Sequence, residues 1–363
     1  MTDETTTAEL PDIAAALPDT TAAAPPKASW TTRIGLDKYS ALYLWIGFML
    51  FFGLTQDSFF TGVTFHQVLS DRAIIVGLIA LAFLVPLATN TFDLSIGSVM
   101  CLSLCVSITL AKNFHGLPQV VCGLLALVAC LVVGFLNGYV VIKLGVNSFI
   151  ATLGMSQLVT AFILFQSGNR QISDVLTKGY RNIGITRINW HIWKIPVFGW
   201  DLPLYFFYTV ILAFAIWFVF EHMPLGRYLF ATGGNREAAR LTGVKVDRLT
   251  WGTLIASAGI AGFAGIVFSW KTPIFSSSTG PGYLFPAIAA VFFGASQLKG
   301  RPNVWGTVIA VYALAFGIKG LQLTFDAGTY WIEPLFEGTS LVIAVAFASR
   351  HNIVKLPKRK ARA

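Results

Sequence analysis

The feature that most limits what this chain can become is a set of apolar runs recurring from about residue 41 to residue 348. About 20 consecutive apolar residues let a helix cross the hydrocarbon core of a bilayer. Inside lipid, only helices and closed barrels satisfy their own backbone polar groups. The runs fall at about 41–55, 73–89, 94–111, 120–142, 148–165, 204–220, 249–270, 284–296, 304–321 and 334–348. Only 12% of residues are charged, against 55% hydrophobic, and a soluble chain carries about twice that charge. The expected fold is therefore an all-α, polytopic membrane protein with about ten transmembrane helices, some short or interrupted. The run at 284–296 is short for a full crossing, and the run at 249–270 is dense in glycine and alanine, as closely packed helices require.

Charge sets the expected orientation. Ten crossings leave both termini on one side, and 17 of the 26 Lys and Arg residues fall on that side. By the positive-inside rule both termini are cytoplasmic. The net charge of +9 is thus spent at membrane edges, and no nucleic-acid partner is expected. Residues 1–40 read as a disordered cytoplasmic tail rather than a signal peptide, 41–349 as the membrane domain, and 350–363 as a basic cytoplasmic tail. The 167–203 stretch reads as the longest internal loop, with Trp190, His191 and Trp193 in it.

Gly226–Val246 is the longest polar interruption in the second half of the chain. It contains the pattern of a small capped helix. Asn235 is a good N-cap, Glu237 favours the positive end of the dipole, and Ala238, Ala239, Arg240 and Leu241 are strong helix formers. Gly243 suits the left-handed position that ends a helix. Such a helix, about 12 Å long at about 1.5 Å per residue, would lie on the membrane surface and fit a groove on a soluble partner. The plainer alternative is a basic loop that only sets topology.

Few residues carry chemistry. Cys101, Cys105, Cys122 and Cys130 lie in apolar segments and read as small buried hydrophobes. No Walker A sequence occurs, since Gly-Lys is absent from the chain, so ATP and its Mg belong on another chain and no cofactor is expected here. Asp93, at the mouth of the 94–111 segment, can bind a sugar hydroxyl, carry a proton or cap a helix; Ser95 is nearby, and Gly97 would admit a neighbouring backbone. Asn137, Asn147, Thr152 and Gln157 can line a solute path or bridge helices. Glu337 has the same ambiguity. No nucleophile–base pair or paired carboxylates stand at usable spacing, so an enzyme is not expected.

Four segments in order carry a resemblance: FDLSIGS (Phe92–Ser98), FLNGYVVIKLGVNSFIATLG (Phe135–Gly154), GRYLFATGGNREAARLTGVKV (Gly226–Val246) and PAIAAVFFGAS…WGT (Pro286–Thr307). Together they resemble the membrane permease subunit of bacterial ABC importers for monosaccharides, of the ribose, xylose and arabinose type. The resemblance runs from about residue 41 to 349. It implies a multi-pass inner-membrane permease that moves a monosaccharide or similar polyol. It also implies a second permease copy, a cytoplasmic ATP-binding subunit, a periplasmic sugar-binding protein and a surrounding of membrane lipid. Gly234, Asn235, Glu237, Ala238, Ala239 and Gly243 are similar to the coupling-loop motif that meets the ATPase. Asp93, Ser95, Asn137, Asn147, Thr152 and Gln157 are then candidates for the substrate path.

The chain departs from the family pattern twice. Asn90-Thr91-Phe92 stand where Gly-Gly-Ile usually precedes the Asp, and Lys299, Gly300-Arg301 and Pro302 stand in a link where glycine is common. The alternative function is a proton-coupled secondary transporter with Asp93 as carrier. An intramembrane enzyme using Glu337 or His191 ranks behind both.

Overall fold

The structure, a computed structural model, describes residues 40–70, 72–189, 201–297, 301–325 and 329–350. The expected N-terminal tail up to residue 39, Trp190, His191, Trp193, Lys299, Gly300 and the basic tail from residue 351 lie outside them.

All ten expected apolar segments are helical. In chain order the helices are α1 Ser40–Thr55, α2 Gly62–Ser70, α3 Arg72–Leu87, α4 Ile96–Asn113, α5 Gln119–Ile142, α6 Ser148–Ser167, α7 Lys178–Ile185, α8 Leu204–His222, α9 Pro224–Gly234, α10 Arg236–Leu241, α11 Val246–Lys271, α12 Pro281–Gln297, α13 Val304–Thr324 and α14 Ile332–Arg350. Seven helical stretches among the described residues are long and apolar enough to cross a membrane, with Gly62–Leu87 counted as one. Of the other three expected spans, α1 and α12 are shorter apolar helices, and α14 carries Glu333 and Glu337 in its first two turns.

Local sequence explains the boundaries. Pro118 precedes α5, where its missing N–H costs nothing. Asn147 caps α6 by accepting from the Phe149 amide at 2.9 Å, and Gly168, with φ +59°, ends it. The long loop is more structured than the expected irregular segment. It holds α7, capped by Thr177, and a two-stranded antiparallel ribbon, β1 Arg187–Asn189 with β2 Asp201–Pro203, paired Arg187 to Pro203. The amphipathic pattern of α7 is too short to register as a span, and strand pairing is a non-local event.

α3 lies at the centre. Its residues from Ala73 to Leu87 are buried except Gly77, whereas α5, α6 and α8 expose leucines, valines and phenylalanines on their outer faces. A surface that apolar belongs against lipid or another protein. α11 packs beside α3, α4 and α5. A Cβ on Gly265 would overlap the Met100 carbonyl of α4, and one on Gly97 would stand 2.9 Å from the Gly280 carbonyl oxygen. The small residues therefore sit where backbones meet, as their density implied. The four cysteines are buried free thiols within this packing.

Candidate functional site

The polar stretch that interrupts the apolar pattern folds into two helices rather than one. Pro224 opens α9 at its first turn, a position suited to a residue without an N–H. Asn235 then turns the chain, with extended φ −152° and ψ 106°, and serves as C-cap of α9 and N-cap of α10. Its side-chain oxygen accepts from the Glu237 and Ala238 amides, both at 3.1 Å, two donors that the helix itself leaves unsatisfied. At the other end Gly243 has φ +85°. Its amide donates to Arg240 O at 3.0 Å and the Val244 amide to Ala239 O at 3.1 Å. The capping pattern read from the residues is thus realised, although α10 is a six-residue helix, shorter than the two turns expected.

Two arginines brace α10 against α11. Arg236 donates to the buried Thr250 hydroxyl at 3.0 Å, and Arg240 spans both Asp247 oxygens at 3.1 and 3.3 Å. The inner face of α10 buries Ala239, while Gly234, Glu237 and Ala238 are exposed. Leu241 is 89% exposed. Reading by residue type missed Leu241 as a contact candidate, since it counted there as a helix former; a lone leucine inside a charged loop was the available signal. Beneath this platform, Gly233 of α9 touches the end of α3. A Cβ there would overlap the Ala88 carbonyl and lie 3.3 Å from the Asn90 amide.

Asn90 itself has φ +54°. Asparagine is one of the few side chains that tolerate this left-handed region. The chain from Thr91 to Ser95 is then irregular and buried except for the half-buried Phe92, which deep packing permits only if its amides find partners. Ser148 accepts from the Phe92 amide at 3.1 Å and Thr152 from the Leu94 amide at 3.0 Å.

Asp93 is fully buried in this segment. It does not cap α4 in the expected way, because the helix starts at Ile96 with Ser95 as its N-cap. One Asp93 oxygen accepts from the Ser95 amide at 3.0 Å and from the Ser95 hydroxyl at 2.6 Å. The Ser95 hydroxyl in turn accepts from the Asn137 amide group at 2.9 Å. The Asp93 carboxylate also lies close to the buried Ser257 hydroxyl. The structure therefore brings Asp93, Ser95 and Asn137 into one chain joining the start of α4 to α5, with Thr152 beside it. It does not bring Asn147 or Gln157 there. Asn147 is spent on its cap and Gln157 is exposed on α6.

Residues 68–345 match the family described as branched-chain amino acid transport system / permease component. The chain belongs to this permease family. It is similar to a ribose import permease protein of Escherichia coli strain K12, 28% identical over 80% of this chain and 87% of the relative. It is likewise similar to a fructose import permease protein of Rhizobium meliloti, 30% identical over 79% of this chain and 78% of the relative. An autoinducer 2 import system permease protein of Yersinia pseudotuberculosis is 29% identical over 82% and 80%. No solved structure matches. The chain is a multi-pass membrane protein, and the relatives are import permeases rather than enzymes.

Proposed function

We propose that this chain is the permease subunit of an ATP-binding-cassette importer that carries a monosaccharide or similar polyol across the bacterial inner membrane. The names of the ribose and fructose relatives support the sugar class. The family description mentions amino acids, and the sugar class rests on the names of these two relatives. Both termini and the α9–α10 platform are cytoplasmic in this reading, by the distribution of Lys and Arg. A second permease copy completes the path, a periplasmic sugar-binding protein delivers the cargo, and a separate ATPase chain binds ATP and Mg.

The observation that carries the mechanism is the α10 platform. It is rigid because both ends are capped and two arginines tie it to α11. It offers Glu237, Ala238 and Leu241 outward, and through Gly233 it bears on the end of α3, the most buried helix. A push on α10 during closure of the ATPase would therefore reach α3 and α11 together. Such packed elements move as rigid bodies between discrete arrangements, which is what alternating access needs.

The test is co-purification from the native host in mild detergent, beside a Glu237→Arg, Gly243→Trp double variant. A nucleotide-binding chain retained by the wild type and lost by the variant supports coupling through α10. A dispersed wild type that retains no ATPase overturns the reading. In this reading the Asp93 chain of hydrogen bonds holds the irregular 91–95 segment, since it ties the start of α4 to α5.

A further inference from the structure

At the far end of α3 from the platform, Arg72 begins the helix and meets two carboxylates of α14. Its Nε lies 2.6 Å from Glu333, and one terminal nitrogen lies 2.9 Å from Glu337. The same nitrogen donates to the Gly282 carbonyl at 2.8 Å, and the guanidinium stands 5.0 Å over the Tyr283 ring. These contacts form one wall of a cavity of about 220 Å³ lined by α2, α3, α12, α13 and α14.

Three more polar side chains line the cavity: Gln67, Lys319 and Gln322. None of the three makes a side-chain hydrogen bond or ion pair among the described residues. The rest of the lining is apolar, mostly from α3 and α13, with Val68 of α2 and Pro286 of α12. Arg72 and Glu333 stand in the first turns of their helices, while Glu337 and Lys319 lie further in, where an ionisable side chain is costly and marks a candidate functional site.

Arg72 and Lys319 stand against Glu333 and Glu337, so cationic and anionic groups line the cavity in equal number. Two glutamines and a lysine supply free donors, while the glutamine carbonyls and the outer carboxylate oxygens supply acceptors. A molecule whose groups both donate and accept, with an apolar face for the aliphatic floor, satisfies all of them. A sugar hydroxyl does both. We propose that this cavity binds the imported monosaccharide, within one permease chain and at the opposite end of α3 from the α10 platform. In the orientation proposed above it lies at the periplasmic ends of α13 and α14, where released cargo arrives. α3, about 24 Å long at about 1.5 Å per residue, then joins the sugar pocket to the platform. This rests on the importer reading.

The four native cysteines are buried, so Ala315→Cys on the cavity wall gives a single reactive thiol, with Ser278→Cys as an exposed control. The full chain, in lipid nanodiscs, is labelled with a small charged methanethiosulfonate reagent. The sugars used are those that cells carrying the importer take up from a panel beginning with D-ribose and D-fructose. The expected result is that an imported sugar, at about ten times its half-protecting concentration, slows labelling of Ala315→Cys about tenfold and leaves Ser278→Cys unchanged. Gln322→Leu should raise KM for uptake about fivefold with maximal rate held, as loss of one binding contact does. An imported sugar that gives no protection, a thiol that never labels, or protection by amino acids instead of sugars overturns the pocket and leaves the importer reading standing. Failure to import any sugar of the panel overturns both.

Discussion

The caps of α10 give a magnitude that can be tested without any partner. Asn235→Ala removes an acceptor for two amides at 3.1 Å, a loss of about 1 kcal/mol at a helix N-terminus. Gly243→Ala places a Cβ on a backbone with φ +85°, a further cost of about 1 kcal/mol. The two sites lie at opposite ends of a six-residue helix and share no side-chain partner, so the effects should add to about 2 kcal/mol. That is about a thirtyfold rise in the frayed population. Limited trypsin digestion reads this directly, because Arg236 and Arg240 are exposed and cleavage tracks the open population when opening is fast. The double variant should be cut at these arginines about thirty times faster than wild type, with the membrane core intact on thermal denaturation. Asn235→Asp, which keeps the capping oxygen, should behave as wild type. Equal cleavage of wild type and double variant would show that the caps do not hold α10, and coupling through a rigid platform would lose its basis.

Other outcomes follow from the same geometry. Leu241→Ala should weaken ATPase co-purification about five- to thirtyfold, as loss of an interface anchor does, without changing thermal stability, because Leu241 is 89% exposed. Asp93→Asn keeps an oxygen for the Ser95 amide and hydroxyl, so uptake should fall only in part and stay dependent on ATP; complete loss of uptake in energised vesicles, with protein yield unchanged, would favour proton carriage. Gly265→Leu should abolish recovery of folded protein in size-exclusion chromatography, since its side chain would have to enter the α4 backbone at Met100, beyond the 1–3 kcal/mol that ordinary overpacking costs.

Much of the architecture was legible because its causes are local. Ten apolar runs became ten helices, since a span must satisfy its backbone within itself. The cap at Asn235 and the turn at Gly243 were legible for the same reason, each bonding atoms a few residues away. α4 starts two residues later than the apolar run, and capping, one of three roles open to Asp93, is not realised: its carboxylate is held by Ser95 and, through Ser95, linked to Asn137 on another helix. α9 escaped notice because its residues read as loop once the apolar pattern stopped; Pro224 in its first turn was the missed sign.

The sequence by itself determined that this chain is a bundle of membrane helices, the order of those helices, and the capped platform between α8 and α11. These follow from hydropathy, backbone satisfaction and capping, which act over a few residues. Only the tertiary structure decided which polar side chains share a site. It separated Asn147 and Gln157 from Asp93, set Gly233 against the end of α3, and paired Arg72 with Glu337 across 265 residues of chain. The physical reason is that lateral packing depends on the shapes of surfaces brought together from distant positions, and a helical repeat carries no information about which neighbour it will meet.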